Sequence, residues 1–77
     1  MLFRSLERVA LNADFPEYHL KVGDIGTVVH VYGKGEGYMV EFFTLDGKTL
    51  DVITVSAGQI RRLGSKEIAN ARVMEEV

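Results

Sequence analysis

The chain has no cysteine, a single proline and no long apolar run in its 77 residues. Without cysteine, disulfides and thiolate metal sites are excluded. No apolar stretch approaches the roughly 20 residues that a membrane-spanning helix needs. The opening Met1-Leu2-Phe3-Arg4-Ser5-Leu6 is too short and too soon charged for a secretory signal, so the expected location is cytoplasmic. Charge of one sign is also missing. Nine Lys and Arg face eleven Asp and Glu, a net charge of −2. Residues 1–63 hold seven basic and eight acidic side chains, and 64–77 hold two and three. Binding to a nucleic acid rests on several phosphate neutralisations, and no basic block supplies them.

What is present is an ordinary globular composition, 47% hydrophobic and 26% charged. A chain this short buries only about 60% of its unfolded surface. With disulfides and thiolate metal sites excluded, and His19 and His30 a weak metal inventory, oligomerisation or partner binding is the remaining support for a small core.

Eight glycines cut the chain into short pieces. Leu6–Leu11 reads as a first strand, and Asn12–Glu17 as a loop around Pro16. Val22-Gly23-Asp24 is a turn. Ile25–Tyr32 is a strand rich in β-branched residues. The run Gly33-Lys34-Gly35-Glu36-Gly37 reads as a hairpin loop, with positive φ at some glycine. Tyr38–Phe43 alternates, with Tyr38, Val40 and Phe42 on the core face and Phe43 opposite. Asp46-Gly47 predicts a hairpin turn, since Asp-Gly tolerates a type I′ geometry. Lys48–Val55 is a third long strand. Ser56–Gln59 fits one 3₁₀ turn, and Ile60–Leu63 a closing strand. Ser65 is placed to cap a helix from Lys66 to Glu76. Its apolar stripe is thin and two acids sit at its C-terminal end, so it needs something to lie against. Five short strands with tight turns predict a closed all-β barrel over 1–63, with a helical extension over 64–77.

Within this plan Gly23, Asp24 and Gly26 read as structural. Gly23 takes a left-handed conformation, Asp24 accepts a backbone N–H, and Gly26 makes room where a bent strand crosses the barrel. Val28 then faces the core. The segment Gly23-Asp24-Ile25-Gly26-Thr27-Val28 resembles a KOW-type element of ribosomal and transcription-elongation barrels. Residues 5–63 as a whole resemble a family of short prokaryotic SH3-like proteins catalogued as a domain of unknown function. The matching stretches are Leu20–Tyr32, Tyr38–Phe42 and Ser56–Arg61, with Glu67-Ile68-Ala69 and Ala71-Arg72 in the tail. The resemblance implies an SH3-like fold and no activity. It also implies, weakly, an antitoxin or immunity role beside a small toxin-like protein.

No residue pattern reaches the grade of a catalytic or metal motif. His30 as a metal ligand needs partners that His19, Asp14 and Glu17 supply only by chance of folding. Asp24 as a general base has no nucleophile or second carboxylate at a fixed spacing. Ser56 and Thr54 lie near Gly58 without a Gly-x-Ser-x-Gly elbow. The loop 33–37 is followed by a strand, not the helix that a phosphate loop requires. A non-enzymatic protein with no cofactor and no metal is therefore expected.

One pattern does not fit a solvated barrel. Val28, Val29 and Val31, with Ile53 and Val55, place apolar residues on both faces of their strands. Either a bulge shifts the register or the outer face is covered. Val29, His30, Val31, Tyr32, Phe43 and Ile68 are the candidate partner surface. The partner is expected to be another protein or a second copy. The alternative is a KOW-like nucleic-acid barrel, with Lys34, Lys48, Arg61 and Arg62 on phosphates and Tyr32 or Tyr38 stacking on bases.

Overall fold

A computed structural model describes residues 3–74. Within them the chain is all-β, and the only helical pieces are two 3₁₀ turns, Pro16–Tyr18 and Ala57–Gln59. The strands are β1 (Arg8–Leu11), β2 (Ile25–Tyr32), β3 (Gly37–Phe43), β4 (Thr49–Val55) and β5 (Ile60–Arg62). They form one antiparallel sheet in the order β4-β3-β2-β1-β5. The long β2 serves two partners. Its start pairs with β1 through Ala10↔Ile25 and Arg8↔Thr27, and Thr27 to Tyr32 pairs with β3. The ladder ends at β4 and β5, which are not paired with each other.

The core follows the alternation read from the sequence. Val9, Leu11, Leu20, Val28, Tyr38, Val40, Phe42, Ile53, Val55 and Ile60 form one buried cluster. Phe3 closes one side of it, edge-on to Tyr38 with ring centroids 5.2 Å apart. The Arg62 guanidinium lies over the outer face of Phe3 at 5.4 Å, a cation–π contact that shields the ring.

The two-faced apolar pattern of β2 is resolved by a bulge. Val28 pairs with Val40, but His30 pairs with Met39, so Val29 is the extra residue. Strict alternation from Val28 would turn His30 and Tyr32 inward. The bulge instead turns Val31 onto the core and leaves His30 and Tyr32 exposed. A polar ring is thereby exchanged for a methyl-bearing side chain at the cost of one irregular residue. Ile53 and Val55 lie on one face only, both buried.

Three further expectations change. The first strand begins at Arg8, because Leu6 has φ +70° and is mostly exposed. The Asp46-Gly47 turn is not type I′, since only Gly47 has positive φ. The Gly47 N–H donates to Thr44 O and the Thr44 N–H to Lys48 O, a three-residue loop with glycine in the left-handed position. The tail helix from Lys66 is absent from the described residues. Ile68 is 91% exposed there, so its thin stripe has nothing to pack on. Glu67 instead turns back to the Gly64 N–H and to Arg61, 2.7 Å away. Glu75 and Glu76 lie outside the described residues. No helix among the described residues is long and apolar enough to cross a membrane.

Candidate functional site

Two places on the surface carry more than a bland fold needs. The first is the outer face of β3 and β4. Burial of Tyr38, Val40 and Phe42 sends Met39, Glu41 and Phe43 to the other side of β3. Burial of Ile53 and Val55 sends Val52 and Thr54 outward on β4. Glu41 is opposite Val52 and Phe43 is opposite Thr49, with Leu50 as the extra residue of a second bulge. Phe43, Leu50 and Val52 are 46%, 40% and 42% exposed. Single exposed apolar residues are ordinary, but three on adjacent strands form a patch. Its polar neighbours on the same face are Glu41, Thr49 and Thr54, and Glu41 accepts the Thr49 hydroxyl at 2.8 Å.

The second place is the turn between β1 and β2. Gly23 has φ +92° and donates its N–H to Leu11 O. Asp24 accepts the Lys21 N–H at 2.8 Å, and Asp14 accepts the Val22 N–H at 2.9 Å. Gly26 is needed for room. A Cβ there would stand 2.6 Å from Val40 Cγ1 and 2.9 Å from Glu41 O. Arg72 of the tail closes over this turn. Its Nε donates to Asp24 Oδ1 at 2.8 Å, and its terminal nitrogen to Asp24 Oδ2 at 2.5 Å and His19 O at 2.9 Å. Burial pushes the Asp24 carboxyl up, but Arg72 and the Lys21 N–H outweigh it and hold the pKa below the ordinary value. Nothing in the sequence pattern marked Arg72 for this contact, because its partner is 48 residues away.

The expected partner surface is only partly assembled. Phe43 lies on the β3–β4 face, Val31 packs on the core, and Val29 is half-buried at the bulge. His30 and Tyr32 are exposed and contact edge-on at 4.7 Å. Ile68 is on the tail, apart from any strand. Leu50 and Val52 were missed as site residues. The alternation Leu50-Asp51-Val52-Ile53 was the signal for them.

The residues of the nucleic-acid alternative are not brought together as one cationic face. Tyr38 is in the core, where no base can reach it. Arg61 pairs with Glu67 at 2.7 Å and Arg62 with Glu7 at 2.6 Å. The Arg4 N–H first, and then Arg62, hold the Glu7 carboxyl below its usual range. Lys34 and Lys48 sit in two different hairpin loops. Among the described residues no three His, Asp or Glu gather as metal ligands. The Asp46 carboxylate binds the Thr44 hydroxyl and the Lys48 N–H, which lower its pKa in that order. It is a turn-forming group, as Gly47 is.

A family model described as a domain of unknown function, DUF4926, matches residues 5–62. That is most of the chain and all five strands, and the chain belongs to this family. No curated protein and no solved structure matches it.

Proposed function

We propose that this DUF4926 member is a non-enzymatic protein-binding module, acting in the cytoplasm, whose docking face is the outer side of β3 and β4. The observation that carries the reading is the run of exposed apolar side chains Phe43, Leu50 and Val52 on adjacent strands. Burying such a patch supplies about 25 cal/mol per Å² of apolar surface, which adds to a small core of ten clustered residues. Glu41, opposite Val52 on this face, fits a partner that joins an apolar surface to a basic group. A neighbouring toxin-like protein is one such partner, and a second copy is another.

The architecture proposed for the module is an SH3-like barrel of KOW type. The order β4-β3-β2-β1-β5, the β2 strand shared by both halves, and the 3₁₀ turn before β5 support it. The nucleic-acid reading has less support, because Arg61 and Arg62 hold carboxylates and Tyr38 is inside.

The test is the full chain carrying Phe43→Ser together with Val52→Lys. Wild type should elute with a discrete protein partner or as a dimer. The double variant should lose that species while keeping the wild-type melting temperature. Retention of the species by a folded double variant would exclude this face.

A further inference from the structure

We propose that the cleft between Asp24 and the His19 carbonyl is a guanidinium-binding site, which takes an arginine side chain of a partner polypeptide in competition with Arg72 of the tail. This goes beyond the β3–β4 face and does not rest on it.

The site is built before a guanidinium arrives. Asp24 Oδ2 is held by the Lys21 N–H. His19 sits at φ +60°, and the Leu20 N–H in the same peptide unit as the His19 carbonyl donates to Phe15 O, which fixes the direction of that carbonyl. Asp14 ties the Val22 N–H and keeps the turn closed. An open cleft adjoins this contact, lined by Asp14, Pro16, His19, Leu20, Lys21 and Arg72 itself. The Asp24 carboxylate and the His19 carbonyl meet the guanidinium head. Three N–H···O bonds reach two acceptor groups from one planar fork. An ammonium cannot reproduce that geometry.

The present occupant is a tethered one. Residues 63–73 are exposed, and Ile68 and Val73 are about nine-tenths so, at 91% and 90%. No apolar side chain from 63 to 73 is buried to hold the tail to the sheet. Glu67 ties its start to Arg61, and Arg72 ties its far end to Asp24. A short flexible tether presents its ligand at an effective concentration in the millimolar range. A partner segment with an arginine therefore has to outcompete a strap whose apolar side chains are exposed, not a packed element. Exchange leaves Asp24 paired in both states, so no charge is stranded in the cleft.

The experiment uses full-length protein and a synthetic peptide, acetyl-Ala-Asn-Ala-Arg-Val-amide, matching residues 69–73. Binding is read from the backbone amide shifts of Lys21, Val22 and Asp24. Arg72→Ala should bind the peptide at least about tenfold more tightly than wild type, since the tethered competitor is gone. The same peptide with lysine for arginine should bind Arg72→Ala at least about tenfold more weakly. Asp24→Asn added to Arg72→Ala should abolish the shifts, with unchanged amide dispersion elsewhere reporting an intact fold. The proposal is overturned if Arg72→Ala binds no better than wild type, if the lysine peptide binds equally, or if Asp24→Asn retains binding.

Discussion

At the scale of the residue, Gly26 and Asp24 show two different reasons for a fixed position. Gly26 is required because two core side chains and a carbonyl occupy the space of a Cβ. Gly26→Ala should therefore cost about 1–3 kcal/mol through overpacking. Denaturant unfolding measures this, and an unchanged midpoint would contradict the packing argument. Asp24 is required for its charge. Its pKa is lowered in the folded protein. Its contribution is thus present above the ordinary carboxylate range and is lost as pH falls through the lowered folded value. The charged groups on it are Arg72 and Lys21. On acidification the amide resonances of residues 68–73 should move to random-coil positions. Asp24→Asn should show them there already at neutral pH. Tail resonances that stay fixed across the acid range would rule out the clamp. The turn residues Gly23, Asp24 and Gly26 were legible in the sequence because each answers a local backbone demand. Arg72 was not, because a contact spanning 48 residues leaves no local trace.

At the scale of the element, the strands were legible and their irregularities only half so. The alternation of Tyr38–Phe43 identified the buried face, since period two has one reading when one face is solvated. The run Val28–Tyr32 had no consistent parity, and that inconsistency was itself the trace of the bulge at Val29. The tail helix failed for want of a surface to bury Ile68, which propensity alone does not report. β4 shows how an edge is kept from unwanted pairing. Asp51 puts a charge on the edge strand and accepts the N–H of Val52. Edge charges of this kind oppose strand addition. Asp51→Ala should raise concentration-dependent self-association, read by light scattering. Equal association of variant and wild type would show that Asp51 does not guard the edge.

At the scale of the whole molecule, a five-stranded sheet holds one core cluster and leaves two distinct surfaces beside it. One is apolar and flat, across β3 and β4. The other is a polar cleft at the β1–β2 turn, with Arg72 of the chain's own tail bonded to Asp24 as one of its walls. Partner docking is proposed on the first. Its most direct measurement is photo-crosslinking in cells of the source organism, with a benzoylphenylalanine residue replacing Val52 and, as control, Lys34 in the β2–β3 loop. Docking on β3 and β4 gives a discrete protein adduct from position 52, or a crosslinked dimer, and no such adduct from position 34. Adducts of equal yield from both positions, or none from position 52 in folded protein, would contradict it.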